Sequence, residues 1–239
     1  MPYYKKELYV SDSIQSILEQ SYTNFELILV NDDTENKDFI NKISNFDQRI
    51  RLIHNDKNLG AGLSRNKAIA LSKGEYIAFC DSDDLWKKKK LELQLNFMKK
   101  FNLNFSFTSY DIIDENNKFI KIRKAPKFVD FKKLRNSCDI GLSTIIAKKN
   151  IFKGNKYQFS NLKTKEDYVL WLKFAQDGIE MKGLDQNLSS WRKTKNSLSS
   201  STFQKLIDGY RVYREYLGYS IFKSLFYLII LSINFVLKN

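Results

Sequence analysis

The sequence predicts an α/β fold in which a mostly parallel sheet is flanked by helices. Short apolar runs alternate with longer amphipathic stretches, which is the strand–helix order of a parallel sheet covered on both faces. Residues 25–30, "FELILV", are nearly all apolar instead of alternating with polar residues, so both faces of such a strand are expected to be buried. The chain has 239 residues, 43% of them hydrophobic and 14% aromatic, which is enough for a packed core.

The first half of the chain contains the clearest periodic patterns. Strands are expected at residues 25–30, 50–53 and 76–79. Helices are expected at residues 8–22, 36–47 and 63–72, and a fourth helix is striped by Leu91, Leu95 and Met98. Gly74 follows the third helix and marks its end.

The second half is less regular. Extended segments are expected at residues 104–109, 120–127, 143–147 and 188–192. A helix is expected at residues 166–176, and a second one at 203–217 leads into an apolar tail. Residues 194–201 are rich in Ser, Lys and Asn and predict a loop.

The chain is basic, with 40 Lys and Arg against 27 Asp and Glu and a formal net charge of +13. Such a charge suits nucleic acid, anionic lipid or a phosphorylated small molecule. No RNA-binding, zinc-finger or basic-zipper pattern is present, so we expect no nucleic-acid partner. Cys80 and Cys138 lie far apart in the sequence, which favours free thiols in a reducing cytosol over a metal site or a disulfide.

The C-terminal tail is the most hydrophobic part of the sequence. Residues 216–237 are mostly apolar, with interruptions at Lys223 and Asn234. The uninterrupted part is short for a helix that spans a membrane. An interfacial helix fits better, and a helix that packs on the core or on a partner is the alternative.

Acidic residues follow two of the predicted strands. Asp32 and Asp33 come directly after the first strand, and the run Asp81-Ser82-Asp83-Asp84 follows the strand at 76–79. Ligands of parallel sheets bind beyond the carboxyl ends of the strands. A divalent metal could bridge such carboxylates to a diphosphate. The alternative is a helix start, where carboxylates cap backbone N–H groups.

Several ordered motifs resemble one known family. They are "SIQSILEQSY" at residues 13–22, "FELILVNDD" at 25–33, "NLG" at 58–60, "LSRNKAI" at 63–69, "GEYIAFCDSDD" at 74–84 and "EDYVLWL" at 166–172. Together they are similar to motifs of the inverting GT-A glycosyltransferases of family 2, over roughly residues 3–200. The resemblance implies a GT-A domain at 1–200, with a nucleotide-sugar half at 1–110 and an acceptor half at 111–200. Residues 201–239 then form a C-terminal helical segment that could associate with a membrane.

The resemblance also implies roles for individual residues. Asp167 matches the catalytic base, and an ordinary acidic first helical turn is the alternative for Glu166 and Asp167. Asp83 and Asp84 would hold Mn²⁺ or Mg²⁺. The donor-binding positions are Tyr3, Asp32, Asp33, Arg65 and Asp81. Contacts with the acceptor or a phosphate are expected from Glu166, Trp191, Arg192 and Lys195, with a solvated basic loop as the alternative for the last two.

The function implied is transfer of a sugar from a nucleotide-sugar donor, with a UDP-sugar favoured, to a hydroxyl group of a surface glycan. The acceptor would be lipid-linked, as in lipopolysaccharide or capsule biosynthesis, and the enzyme would sit peripherally on the cytoplasmic face of the cell membrane. Transfer to a protein or a small soluble acceptor is an alternative.

Family members begin with an apolar strand at the centre of the sheet, whereas this chain starts at Met1-Pro2. We therefore expect the first strand to be missing and its two neighbours to have unpaired backbone groups. A nucleotide-sugar-binding protein without turnover is the second alternative that follows.

Overall fold

The computed structural model describes residues 1–35, 37–194 and 201–238. The strands are β1 (Pro2–Tyr3), β2 (Leu27–Asn31), β3 (Ile50–His54), β4 (Tyr76–Ala78), β5 (Leu85–Trp86), β6 (Phe105–Ile113), β7 (Phe119–Arg123), β8 (Phe128–Val129), β9 (Ile146–Lys148) and β10 (Met181–Arg192). The helices are α1 (Glu7–Leu18), α2 (Lys37–Ser44), α3 (Ala61–Leu71), α4 (Lys90–Lys100), α5 (Phe131–Asn136), α6 (Glu166–Gln176), α7 (Thr202–Arg211) and α8 (Ile221–Lys238). Short 3₁₀ turns occupy Leu142–Thr144 and Lys149–Phe152, and a wider π turn, Val212–Tyr216, follows α7.

The strands form two sheets, and the fold is α/β as predicted. The smaller sheet has the order β1-β2-β3 and is parallel. The larger has the order β4-β9-β6-β10-β5, with β7 beside β6 and β8 beside β10. In the described part of the chain only three of the eight strand pairings are parallel. The prediction of a mostly parallel sheet is therefore wrong for the larger sheet, because short connections such as the β6–β7 hairpin reverse the chain and an apolar run does not encode direction.

The larger sheet contains strands from both predicted halves of the glycosyltransferase-like domain, 1–110 and 111–200. Strands β4 and β5 come from the first half of the chain, and they belong to the same sheet as the strands β6, β7, β8, β9 and β10. The carboxyl end of β4 is thereby surrounded by residues from the second half. This arrangement positions the site described below.

Two hydrophobic clusters hold the layers together. In one of them, α1 contributes Val10, Ile14 and Ile17, which pack with β2, whose five residues are all buried. The other is aromatic and centres on Trp171 of α6, whose ring lies 5.1 Å from that of Phe105 on β6. Such edge-to-face aromatic contacts add to the energy of burial and hold α6 against the larger sheet.

The first strand, which the sequence predicts to be missing, is present as two residues. Pro2 pairs with Val30 in parallel register, and the amino group of Met1 donates to the carbonyl oxygen of Ile28 at 2.9 Å. Burial lowers the pKa of that amino group to about 6. The prediction of a missing first strand is therefore wrong for these two residues, which pair with β2 in parallel register.

A cavity of about 680 Å³ opens next to β1, between β2 and β4. Its lining includes Ile28, Ile77, Ala78 and Ile146. Strand β4 pairs with β9 on one side and is the end strand of the larger sheet. The cavity therefore lies between the smaller sheet, through β2, and the larger sheet, through β4.

The C-terminal helices pack against the second half of the chain. Helix α8 turns Leu231 into the core, and its Asn234 Nδ2 donates to the carbonyl oxygen of Asn136 at 2.8 Å. The opposite side exposes large apolar side chains, among them Phe222, which is 85% exposed. None of the helices in the described ranges combines the length and the hydropathy needed to cross a membrane.

Candidate functional site

Contacts of one N-terminal segment connect the two acidic strand ends. The N–H of Asp32, after β2, donates to the carbonyl oxygen of Tyr3 at 2.8 Å. Three residues further on, Lys6 Nζ lies 2.8 Å from Asp83 Oδ2, in the turn after β4. The short segment from Tyr3 to Lys6 therefore bridges the two strand ends.

Asp84 is held inside the protein. It is 2% exposed, and its Oδ2 accepts a hydrogen bond of 2.5 Å from the Ser143 hydroxyl while its Oδ1 accepts one of 2.9 Å from the N–H of Arg192. Burial raises the pKa of Asp84 well above its usual range, and the nearby Asp83 and Asp81 raise it further. Each oxygen of Asp84 thus accepts one hydrogen bond within the fold, and the side chain is less exposed than those of Asp81 and Asp83. The role of Asp84 as a metal ligand stays a prediction.

Asp83 and Asp81 face the open side of the turn. The Asp83 side chain is 15% exposed and pairs with Lys6 through one oxygen. Burial and the like charge of Asp81 raise its pKa, and Lys6 opposes that effect. The Asp81 side chain is 33% exposed, and its backbone N–H donates to the hydroxyl of Ser143 at 3.0 Å. Ser143 thus fixes both ends of the acidic turn.

Arg65 joins the acidic turn to the start of α6. Its Nη2 donates to Asp81 Oδ1 at 2.6 Å and its Nη1 donates to Glu166 Oε1 at 2.5 Å. The guanidinium carbon lies 5.4 Å from the centre of the Phe159 ring. Burial by itself would lower the pKa of Arg65, but Asp81 and Glu166 raise it above its usual value, so the side chain stays charged.

Glu166 and Asp167 form the first turn of α6. Burial raises the pKa of Glu166 to about 7, with Arg65 opposing and Asp167 reinforcing the rise. Burial also raises the pKa of Asp167, while Arg65 and the N–H of Tyr168 oppose that shift. Asp167 Oδ1 accepts from that N–H at 2.7 Å. The two neighbours therefore differ, since Glu166 is tied to Arg65 and Asp167 is held by the backbone.

A close approach between α3 and α6 makes the Arg65–Glu166 contact possible. A Cβ atom on Gly62 would lie 2.3 Å from the carbonyl oxygen of Ser160 and 3.2 Å from Glu166 Cγ. Only glycine fits at this position without a shift of the backbone. The sequence offered no signal for this contact beyond the Gly itself.

Asp32, Tyr3 and Asp33 are buried, and the two aspartates accept hydrogen bonds from backbone N–H groups. Asp32 Oδ1 accepts from the N–H of Leu59 at 2.7 Å, and Oδ2 accepts from the N–H of Gly60 at 2.8 Å, so the carboxylate holds the loop that enters α3. Tyr3 is fully buried, and its ring centre lies 6.4 Å from that of Phe39. Because it has no exposed surface, direct contact of Tyr3 with a ligand is disfavoured. Asp33 is also buried, and its Oδ1 accepts from the N–H of Glu35 at 3.1 Å.

Arg192, which the sequence suggests as a phosphate contact, supports the acidic turn. It is buried, its Nε donates to the carbonyl oxygen of Asp83 at 2.8 Å, and its guanidinium carbon lies 4.7 Å from the Tyr9 ring centre. Trp191 is half-buried on β10, opposite Ile112 of β6. Lys195 lies outside the described residues.

Carboxylate oxygens are the ligands that Mg²⁺ and Mn²⁺ favour, and the turn supplies them through Asp81 and Asp83. Across the described residues, no group of three or more His, Cys, Asp or Glu side chains is arranged to hold a metal ion. Asp81 and Asp83 could supply one or two carboxylates to a metal whose other ligands are donor oxygens and water.

The comparisons with known proteins agree on one family. Residues 1–160 match the family described as "Glycosyl transferase family 2". The chain is 35% identical over 207 residues to the Escherichia coli UDP-Glc:alpha-D-GlcNAc-diphosphoundecaprenol beta-1,3-glucosyltransferase WfgD, covering 86% of this chain and 80% of that protein. It is 33% identical over 220 residues to TuaG of Bacillus subtilis, named as a candidate glycosyltransferase of teichuronic acid biosynthesis, covering 90% and 85% of the two chains.

The fold also matches a solved structure. The crystal structure of Staphylococcus aureus TarS 1–349 in complex with UDP-GlcNAc superposes with a TM-score of 0.74 at 21% sequence identity. The match covers 95% of this chain and 68% of that chain. At this identity the likeness supports the shared fold only.

Proposed function

Because the chain belongs to glycosyl transferase family 2 and is a glycosyltransferase, we propose that it moves a sugar from a UDP-sugar to a hydroxyl group of a lipid-linked surface glycan. One observation carries the proposal. Arg65 joins Asp81 of the acidic turn to Glu166, which directly precedes Asp167. A single cationic side chain thus links the carboxylates suited to a diphosphate with those suited to proton transfer. WfgD is named for a UDP-Glc donor and an acceptor on diphosphoundecaprenol. We propose the same classes of donor and acceptor, a UDP-sugar and a lipid-linked glycan, for this chain.

Asp81 and Asp83 are the residues that would hold Mg²⁺ or Mn²⁺ together with diphosphate oxygens. When bound, the metal would offset negative charge on the leaving nucleoside diphosphate. Lys6 Nζ lies 2.8 Å from Asp83 Oδ2, and we propose that its ammonium group also contacts a phosphate of the donor. Asp84, Ser143 and Arg192 support this turn from within the fold.

Asp167 is the proposed base for an inverting displacement. The acceptor oxygen attacks the anomeric carbon, the bond from that carbon to the diphosphate oxygen breaks, and the hydroxyl proton passes to the Asp167 carboxylate. The raised pKa of Asp167 makes it a stronger base than an exposed aspartate. Glu166 is the weaker candidate because Arg65 occupies it.

A lipid-linked acceptor places the enzyme at a membrane surface, and the exposed apolar side of α8 supports that location. Its exposed residues include Phe222, Phe226 and Ile229. The net charge of +13 favours an anionic surface. We propose peripheral association with the inner face of the cell membrane through this helix.

The experiment is a panel of UDP-, GDP- and dTDP-sugars, each with Mn²⁺ or Mg²⁺, read by thermal shift and by transfer to GlcNAc-diphosphoundecaprenol. We expect a UDP-sugar to stabilise the protein only with metal and to be consumed with the acceptor. Asp83→Asn should remove the metal-dependent shift. A donor that stabilises the protein without any transfer would favour the binding protein without turnover, and no stabilisation by any donor would refute the proposal.

A further inference from the structure

Asp208 is a buried acid that the proposed reaction does not use. It lies in the middle of α7, has no exposed surface, and stands outside the residues that match the family. Burying a carboxylate in a helix is costly unless the group is hydrogen-bonded. The contacts of Asp208 therefore indicate what this residue stabilises.

One oxygen of Asp208 holds the chain just before the acidic pair. Oδ2 accepts from the N–H of Thr164 at 2.9 Å and from its hydroxyl at 2.9 Å, and also from Gln204 Nε2 at 3.0 Å. Arg211 Nη1 lies 3.8 Å from Oδ1, which is beyond hydrogen-bond distance. The carboxylate thus binds the residue two positions before Glu166.

The connection between Thr164 and Glu166 is conformationally demanding. Lys165 adopts the left-handed region, with φ of 63° and ψ of 17°, although it has a side chain. Such a conformation persists only where surrounding contacts fix it. Asp208 binds both the N–H and the hydroxyl of Thr164, the residue directly before Lys165.

The rest of the C-terminal segment holds the same turn from a second side. Tyr213 Oη lies 3.3 Å from Tyr168 Oη and donates to the carbonyl oxygen of Arg135 at 2.7 Å. On α7, Gly209 lies beside the Lys165 side chain, since a Cβ atom there would be 3.6 Å from Lys165 Cε. Residues of the C-terminal segment, 201–238, therefore contact the chain on both sides of Glu166 and Asp167.

We infer that Asp208 is a positioning residue, which sets the orientation of Glu166 and Asp167 through Thr164. The inference rests on the proposed function, because it assigns the acidic pair to catalysis. It also gives α7 a role in the reaction that is separate from any contact with a membrane.

The test compares Asp208→Ala with Thr164→Val, which removes only the hydroxyl donor, and with Thr164→Ser, which keeps it. The matched control is Glu215→Gln, an exposed residue that pairs with Arg211. We expect Asp208→Ala to lower kcat by about tenfold to a hundredfold. The Kd for the UDP-sugar should stay within about twofold, and Thr164→Ser should retain far more activity than Thr164→Val. An equal loss of kcat and donor affinity, or no loss of kcat, would overturn the inference.

A second readout separates this inference from the proposed function and covers variants that fold poorly. Hydrogen exchange of the backbone amides of residues 164–168 is measured in the wild-type protein and in the Thr164→Val and Asp208→Ala variants. Faster exchange confined to this stretch supports positioning even if the wild type transfers no sugar. Unchanged exchange in both variants, or faster exchange throughout the protein, contradicts it.

Discussion

The three aspartates after β4 occupy three different environments, although they lie within four residues of each other. Asp84 is enclosed by Ser143 and Arg192, which are 59 and 108 positions further along the chain. Asp81 faces Arg65, and Asp83 faces Lys6. The sequence could predict a carboxylate cluster at this strand end, but the division of roles depends on contacts that are distant in sequence.

The first prediction concerns the stability of this turn. Asp84→Ala should lower the free energy of unfolding by about 1–3 kcal/mol, because the N–H of Arg192 and the Ser143 hydroxyl lose their partner inside the protein. Asp83→Ala should cost less than about 1 kcal/mol, because its burial penalty offsets the attraction of Lys6. Urea unfolding of the two variants measures the difference, and equal costs would show that the two residues are not distinguished by the fold.

The second prediction concerns pH and Glu166. Its pKa is about 7 in the folded protein, above the ordinary value of 4.5, so between these values the folded state keeps a proton that the unfolded state has released. The contribution of Glu166 to stability therefore falls as the pH rises through this window, by at most about 3 kcal/mol. Urea unfolding at several pH values from 4.5 to 8 measures this change.

The control is Glu166→Gln, which carries no titrating group at this position. The difference in unfolding free energy between the wild type and this variant should shift against the wild type as the pH rises. Comparing the two proteins cancels other groups, including the amino group of Met1. A difference that does not change with pH would mean that the Glu166 pKa is close to its ordinary value.

At the scale of elements, a helix rich in buried apolar residues was predicted well. Helix α6 was predicted at residues 166–176 and occupies Glu166–Gln176. Strand β10 was predicted only at 188–192, whereas it extends over Met181–Arg192. Its earlier part contains exposed polar residues and register shifts near Asn187, so its pairing with β6 creates a strand that the local pattern does not indicate.

The third prediction concerns α8. The double variant Phe222→Glu, Ile229→Glu should lower binding to phosphatidylglycerol vesicles by at least about tenfold, because it places charges on the exposed apolar side of the helix. Vesicle co-sedimentation measures the bound fraction. The control is Phe46→Glu, which changes an equally exposed residue outside the C-terminal helices.

Two results would contradict the membrane role of α8. One is a wild-type protein that does not bind these vesicles. The other is an equal loss of binding in the α8 variant and in Phe46→Glu. Neither substituted residue lies on the packed side of α8. On that side Leu231 is buried, and the Arg135 guanidinium carbon lies 4.3 Å from the centre of the Tyr227 ring.

At the scale of the whole molecule, the motifs predicted the fold class and the family. They did not predict which neighbouring strands run parallel and which run antiparallel. A buried strand has the same apolar composition whichever way its neighbour runs. The short first strand was also difficult to predict, because two residues provide no pattern. The cavity between β2 and β4 is a property of the space between elements, which sequence periodicity does not describe.

The candidate site could be predicted in part, since Arg65, Asp81 and Glu166 come together as the motifs suggest. Tyr3, Asp32 and Arg192 are buried, and Asp32 and Arg192 also form hydrogen bonds within the fold. Their contacts with a ligand stay predictions. Ser143 and Asp208 were missed, because nothing around a single hydroxyl or a helical aspartate marks it as a support for another element. Both act through partners that lie more than 40 positions away.

The central claim is that Asp81 and Asp83 bind the donor diphosphate through a metal, while Asp167 accepts the proton of the acceptor hydroxyl. The direct measurement is the rate of sugar transfer and the donor Kd of Asp167→Asn beside those of the wild type, with a UDP-sugar, Mn²⁺ and GlcNAc-diphosphoundecaprenol. We predict a transfer rate lower by about a hundredfold to ten-thousandfold and a donor Kd within about threefold of the wild type. Transfer at the wild-type rate, or a donor affinity that falls as far as the rate, would contradict the account.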